Sequence, residues 1–310
     1  MEVYRTPDAV GTSAPGAVVA LGNFDGVHLG HRELFRLAED WARKNDVPWG
    51  VMTFEPHPAK VLAPDLAPAL ITTSQGKLEL ISESGPAFSL VVEFNRVLAG
   101  FPPERFVTDL LLEGLHVGAV VVGYDFTFGA RRSGSVSLLH SLGKDHGFDV
   151  IVADPYSVGG IVVSSTKVRA FVLAGRVYAA SLLLGRPFVL SGSVVHGDAR
   201  GRDIGFPTAN VAVEEELLPA AGVYAAWCCF DDGQFPAAVN VGSVPTFRTD
   251  GKVTVEAHIL DWDGDLYGRR IKVEFVRRLR PERRFESVDS LVEEIHRDVA
   301  RTREILLTLP

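Results

Sequence analysis

The sequence predicts an α/β domain followed by a small antiparallel β domain that ends in a C-terminal helix. Three observations carry this reading. From Val18 to about Gly185, short apolar runs rich in β-branched residues alternate with segments of helical period, the grammar of a parallel sheet with helices on its faces. After Arg186-Pro187, strand-like runs follow one another at regular spacing with turn residues between them, as in a small barrel or sandwich. The last segment, Ser287 to Leu307, returns to near-helical spacing through Val288, Leu291, Ile295, Val299 and Ile305, with Ser287 placed to cap it and Ser290 behind. The boundary is expected at 185/186, giving domains 1–185 and 186–310.

In order along the chain, Ala17-Val18-Val19-Ala20 reads as a short buried strand, and a glycine-rich turn follows it. Leu34, Leu37, Ala38 and Trp41 then recur at helical spacing. The runs Trp49 to Phe54 and Val117 to Val122 read as buried parallel strands, Glu104 to Leu112 and Val136 to His146 as helices, and Asp149 to Ala153 as another strand. Ligands of such a sheet belong at the carboxyl ends of its strands, where His28, Glu55, His57 and Asp125 all fall. In the second half the strands are Phe188–Val195, Asn210–Val213, Val223–Phe230, Ala237–Val241, Val253–Leu260 and Ile271–Val276. Asp231-Asp232-Gly233, Asp250-Gly251 and the segment Asp261 to Asp265 punctuate them.

The 310 residues give room for two domains, each with its own core. A net charge of −8 argues against a general polyanion binder, so phosphate recognition has to be local and a nucleic acid is not the expected partner. The two cysteines, Cys228 and Cys229, are sequence neighbours and point to opposite faces of a strand, which suits neither a disulfide nor a metal cluster. Glu2 and Asp8 interrupt the N-terminus, and no apolar run approaches signal-peptide or membrane-span length, so a soluble cytoplasmic protein acting on small molecules is expected. Oligomeric state does not follow from the sequence.

The string Leu21-Gly22-Asn23-Phe24-Asp25-Gly26-Val27-His28-Leu29-Gly30-His31 joins a strand to a helix. Unpaired N–H groups at such a junction suit a nucleotide phosphate, and histidines at i and i+3 can donate hydrogen bonds to a phosphate whose charge grows in a transition state. As zinc ligands they lack the i, i+4 spacing and the intervening glutamate of a helical metalloprotease site. The whole string therefore reads as nucleotidyl transfer. Thr53-Phe54-Glu55-Pro56-His57-Pro58 ends the next strand at two prolines, and in Gly123 to Gly129 the rings of Phe126 and Phe128 suit either a core or the flank of a planar ring. Ser164-Ser165-Thr166-Lys167-Val168-Arg169 opens a helix with hydroxyls, explained by capping or by a bound triphosphate that also gives Arg169 a purpose.

The second long signal runs from His196 to Asn210 and contains Gly201-Arg202-Asp203-Ile204-Gly205-Phe206-Pro207-Thr208-Ala209-Asn210. Glycines and charges before a strand suit a loop that closes over a polyanion, and no Walker-type phosphate loop occurs anywhere. In Thr254 to Leu260 the residues Val255, Ala257 and Ile259 share one face, and Glu256 and His258 share the other. From the pattern alone Glu256 is a solvated carboxylate.

The first-half strings, taken together and in order, resemble the adenylyltransferase module of bacterial bifunctional riboflavin kinase/FMN adenylyltransferases, and the second-half strings resemble the kinase module of the same family. The resemblance implies a Rossmann-like nucleotidyltransferase domain and a β-barrel kinase domain. It implies that Gly22, Phe24, Asp25, His28, His31, Asp125, Ser164, Thr166 and Arg169 bind ATP in the first, His28 and His31 acting on the phosphates. In the second it implies that Gly201, Arg202, Gly205, Pro207, Thr208 and Asn210 bind ATP, that Thr208 and Asn210 sit beside Mg²⁺, and that Glu256 is the base for the riboflavin 5′-hydroxyl. Phe54, Phe126, Phe128, Glu256 and Arg280 are the implied flavin contacts. Riboflavin, FMN, FAD and ATP are the implied substrates or products. The chain departs from the family pattern at Thr127, where a basic residue is common, at Ser135, where an acidic one is, and at Val244, where a polar or basic one is. Two other readings compete, another nucleotidyltransferase fused to a flavin-binding barrel and a catalytically silent flavin sensor. The Gly-Phe-Pro-Thr-Ala-Asn string with Glu256 speaks against the first, and the intact site residues speak against the second.

Overall fold

The computed structural model describes residues 1–197, 201, 204–231, 233–243 and 253–308. They form two compact units, Met1–Ser164 and Ser165–Pro310. The strands in chain order are β1 (Glu2–Tyr4), β2 (Val18–Leu21), β3 (Trp49–Glu55), β4 (Phe88–Glu93), β5 (Ala119–Gly123), β6 (Thr127–Phe128), β7 (Gly134–Ser135), β8 (Asp149–Ala153), β9 (Ser157–Val158), β10 (Ile161–Val162), β11 (Phe188–Val195), β12 (Ala209–Val213), β13 (Gly222–Phe230), β14 (Gly233–Ser243), β15 (Val253–Ile259) and β16 (Arg270–Pro281).

In the first unit a six-stranded sheet has the order β1-β4-β3-β2-β5-β8, with every neighbouring pair parallel. Both faces are covered, which is why its strands read as continuous apolar runs. On β2, Val19 and Leu21 join one core with Met52, Leu90 and Val122, while Val18 and Ala20 join the other with Phe35, Val51 and Val121. The strand order reverses between β2 and β5, so the crevice at their carboxyl ends is the natural ligand position. β4, which the sequence reading did not single out, lies inside the sheet between β1 and β3. The helix expected over Glu104 to Leu112 becomes a short helical turn, Pro103–Arg105, followed by a π-helical stretch, Phe106–Gly114.

In the second unit the strands close into an antiparallel barrel of order β11-β12-β15-β14-β13-β16, with β11 pairing β16 to complete the ring. Of the two folds the turn spacing allowed, it is the barrel that forms. Val255, Ala257, Val273 and Phe275 are buried in it. The C-terminal helix Val288–Thr308 packs on β13, β14 and β16 and begins with a reciprocal cap, in which the Ser290 N–H donates to Ser287 Oγ at 3.1 Å and the Ser287 N–H to Ser290 Oγ at 3.3 Å. The unit starts earlier than residue 186, because the helix Val177–Leu184 packs on β11 and β16 and buries Val177, Ala180, Leu183 and Leu184. Cys228 and Cys229 are free thiols, and burial pushes Cys228 up to about 12.

Candidate active sites

In the first unit β2 ends at Leu21 and the turn that follows is strained. Phe24 (φ 51°) and Val27 (φ 38°) occupy the left-handed region, which costs a non-glycine residue about 1–3 kcal/mol. Gly26 (φ 82°) has no such cost, and a Cβ there would come within 2.9 Å of Ile71 Cδ1. The turn is held by its own buried side chains. Phe24 and Val27 are completely buried, and the Phe24 ring packs edge-on against His31. Asp25 Oδ1 accepts from the N–H groups of Ile71 (2.9 Å) and Thr72 (3.3 Å), while the Gly26 N–H donates to Thr72 Oγ1 (3.3 Å).

The turn delivers His28 to the N-cap of the helix Leu29–Asn45, where its Nδ1 accepts from the His31 N–H at 3.2 Å. With Nδ1 accepting, the ring proton sits on Nε2, which is therefore a donor. The His31 ring stacks on it with centroids 3.5 Å apart and planes 16° from parallel. Two imidazoles at the positive end of a helix dipole, at the strand-order reversal of a parallel sheet, make a site for phosphate.

The other first-half residues divide. Asp125 is exposed on the turn after β5, where the Phe126 N–H closes back on the Gly123 carbonyl at 3.0 Å. Phe126 is half-buried and stacks on Phe128. The rings of Phe54 and Phe128 belong to the core, packed on Phe94 and Phe106 respectively, so they do not form the open aromatic wall expected of flavin contacts. Likewise the Phe24 ring and the Asp25 carboxylate are buried in the packing and hydrogen bonds of the turn. Ser164 immediately precedes the helix Ser165–Leu173, which carries Thr166 and Arg169 and belongs to the second compact unit. The departures at Thr127 and Ser135 stand directly opposite each other across the β6–β7 hairpin. Ser135 also caps the helix Val136–His146, accepting from the Leu138 N–H at 3.3 Å.

Lys77, on the helix Ser74–Ser82, escaped the sequence reading. It is buried below the turn, with Nζ 3.3 Å from Thr53 Oγ1, 3.3 Å from the Phe54 carbonyl and 3.5 Å from Glu55 Oε2. Its burial, opposed by Glu55 and Asp25, holds the ammonium below the usual lysine value.

In the second unit strand alternation sends Val255, Ala257 and Ile259 into the barrel and leaves Glu256 and His258 on its outer wall. The ladder puts Asn210 of β12 and Asn240 of β14 opposite Glu256 on either side. A cavity of about 330 Å³ lies between this wall and the C-terminal helix, lined by Gly201, Thr208, Asn240, Glu256, His258 and, from the helix, Leu291 and Ile295. A second cavity of about 610 Å³ shares Thr208 and is walled by Pro207, Trp262 and Tyr267. His258 Nδ1 donates to the Pro207 carbonyl at 2.9 Å, fixing the residue before Thr208. Gly205 adopts φ 87° in the approach to this segment. Arg202 lies outside the described residues, as does Val244.

Arg280 also lines the smaller cavity, with its guanidinium paired to Asp298 of the same lining. Nε and Nη2 donate to Asp298 at 3.0 and 2.8 Å, and Glu294 lies 3.5 Å away. The pair ties β16 to the C-terminal helix and fixes Arg280 in the cavity wall. Asn240 and His258 are lining residues that sequence reasoning did not place in the site, although the alternation containing Glu256 had already put His258 on the same face.

The Thr208 hydroxyl and the Asn210 carboxamide are neutral oxygen donors two residues apart. They suit Mg²⁺, which takes few protein ligands and keeps waters and substrate phosphates around it.

Comparison with known proteins agrees with both halves. A family model described as FAD synthetase matches residues 11–167, and one described as riboflavin kinase matches residues 184–306. The bifunctional riboflavin kinase/FMN adenylyltransferase of Escherichia coli K12 is 42% identical over 297 residues, covering 95% of each chain. The protein of the same name from Bacillus subtilis is 36% identical, covering 91% of this chain and 90% of its own. A solved structure described as a macrolide-efflux protein from Streptococcus pneumoniae is 33% identical with a TM-score of 0.88, covering 97% of this chain and 98% of that one. Among the described residues no helix is long and apolar enough to cross a membrane. With one catalytic family matched in each half and relatives covered nearly end to end, the chain belongs to the bifunctional riboflavin kinase/FMN adenylyltransferase family.

Proposed function

We propose that the barrel unit phosphorylates riboflavin and the sheet unit adenylylates FMN, each with its own ATP. The observation that carries the first assignment is Glu256, set in the ladder between Asn210 and Asn240, on the wall of a cavity that meets a second cavity at Thr208. Riboflavin occupies the smaller cavity and ATP the larger. Glu256 takes the proton of the 5′-hydroxyl as its oxygen attacks the γ-phosphorus, and ADP leaves. The two asparagines steady the carboxylate, and Thr208 stands where acceptor and donor meet. Thr208 and Asn210 would hold Mg²⁺, which when bound neutralises charge on the phosphates.

In the sheet unit a phosphate oxygen of FMN attacks the α-phosphorus of ATP and pyrophosphate leaves, so the step needs charge stabilisation more than a base. His28 Nε2–H and the His31 ring supply donors aimed at that charge, backed by the helix N-terminus. Asp125 and backbone groups of the Gly22–Gly26 turn flank the nucleotide. The roles of Ser164, Thr166 and Arg169 on the phosphates, and of Phe126 beside the flavin, rest on the family resemblance. The chemistry divides at 185/186 even though the barrel unit folds with the helices before it. Reliance of both steps on ATP supports a cytoplasmic location.

The test is incubation with riboflavin, ATP and Mg²⁺ with the three flavins separated over time. FMN should rise and then yield to FAD. Appearance of FAD without transient FMN, or of neither product, would overturn the assignment.

A further inference from the structure

The catalytic histidines hang from a turn with two residues in the left-handed region, so something must fix that turn against relaxation. On one side Asp25 and Gly26 tie it to Ile71 and Thr72. On the other, fully buried Thr53 at the end of β3 donates its hydroxyl to the Asn23 carbonyl at 3.1 Å. Because that hydroxyl proton is committed, Thr53 Oγ1 receives from Lys77, whose ammonium has three donors and meets three acceptors, Thr53 Oγ1, the Phe54 carbonyl and Glu55 Oε2. Lysines are almost never this buried unless paired, and here every partner lies on the strand end beside the turn.

We propose that Lys77 is a positioning residue for FMN adenylylation, acting through Thr53 to hold the Asn23 carbonyl and with it the turn that aims His28 and His31. Lys77 touches no reacting atom in this scheme. It fixes the order of hydrogen bonds so that the turn presents its histidines in one arrangement. The inference rests on the assignment of adenylylation to this site.

The experiment uses the full chain with supplied FMN, ATP and Mg²⁺. Rates are expressed per folded chain, counted from the urea melt of each variant, so that loss of folded protein is not read as loss of rate. Lys77→Met and Thr53→Val should each lower kcat by about tenfold to a hundredfold, the scale of a misplacement near 1 Å, with the KM for ATP little changed. The double variant should fall no more than about threefold below the worse single one, because both act on one link. Multiplying losses would overturn the proposal, as would single variants within about twofold of the parent. Should Lys77→Met fail to fold, Thr53→Val decides alone: a lowered kcat supports the link, and an unchanged one refutes it. A parent chain that makes FMN but no FAD from supplied FMN removes the site assignment and the inference together. An active parent with unaffected variants removes only the inference.

Discussion

Glu256→Gln separates the two readings of this residue, exposed strand carboxylate and base. The substitution keeps length and hydrogen-bonding capacity, and the flanking Asn210 and Asn240 can pair with a carboxamide as well as with a carboxylate. Packing should be untouched, because the side chain stands on the outer wall of the barrel while Val255 and Ala257 supply the interior. What disappears is the proton acceptor and one negative charge at the cavity wall. General bases contribute about a hundredfold to ten-thousandfold, so riboflavin phosphorylation should fall by that factor. At about 1.36 kcal/mol per tenfold, this is about 2.7–5.4 kcal/mol of barrier. The assay is single-turnover phosphoryl transfer with riboflavin and ATP saturating, and conversion of supplied FMN to FAD in the same protein is the internal control. A phosphorylation rate within about twofold of the parent would refute the argument and return Glu256 to the solvated face that its alternation first indicated.

His31→Ala should lower FAD formation by roughly a hundredfold or more, the usual cost of one preorganised donor, and leave FMN formation intact when the two products are followed separately. A fragment of residues 165–310 should melt cooperatively and phosphorylate riboflavin. A fragment of 186–310 should be markedly less stable in the same melt, because it uncovers the barrel surface on which Val177, Ala180, Leu183 and Leu184 are buried. Burial lowers the folded-state pKa of Lys77, so between that lowered value and the usual 10.5 the unfolded chain holds more protons and stability should rise with pH. The rise should be visible in urea melts of the parent and missing in Lys77→Met.

Much of this was legible in the sequence, and the exceptions have physical causes. Strand alternation put Glu256 and His258 on one face, opposite the buried Val255, Ala257 and Ile259, and both line the smaller cavity. The His28–His31 string marked the strand-to-helix junction correctly, but it could not say which of its side chains face the ligand. A turn this tight needs anchors, and Phe24 and Asp25 are those anchors. Phe128 was open to either reading and Phe54 was a flavin contact only by resemblance, and the hydrophobic effect drew both into the core. Arg280 was named from the family resemblance without its partner in view, since Asp298 lies across a turn and nearly three turns into the next helix. Lys77 was invisible for the same reason, because a lysine in a short helix reads as solvated until Thr53 and Glu55 of another strand are seen beside it.

In the scheme proposed above the two sites solve the same problem, holding ATP phosphates against a flavin, from opposite architectures. An open parallel sheet leaves a crevice where its strand order reverses, and a helix N-terminus arrives there with donors already pointing outward. A closed barrel has no such crevice, and its smaller cavity is made by laying a helix against the outside wall. That geometry explains the unusual face of the C-terminal helix, on which Glu294, Asp298 and Thr302 are buried polar residues. A wholly apolar face would collapse onto the barrel and fill the cavity. Instead the Asp298–Arg280 pair joins helix to β16 at a fixed distance, and the space that remains beside Leu291 and Ile295 is the cavity where Glu256 waits.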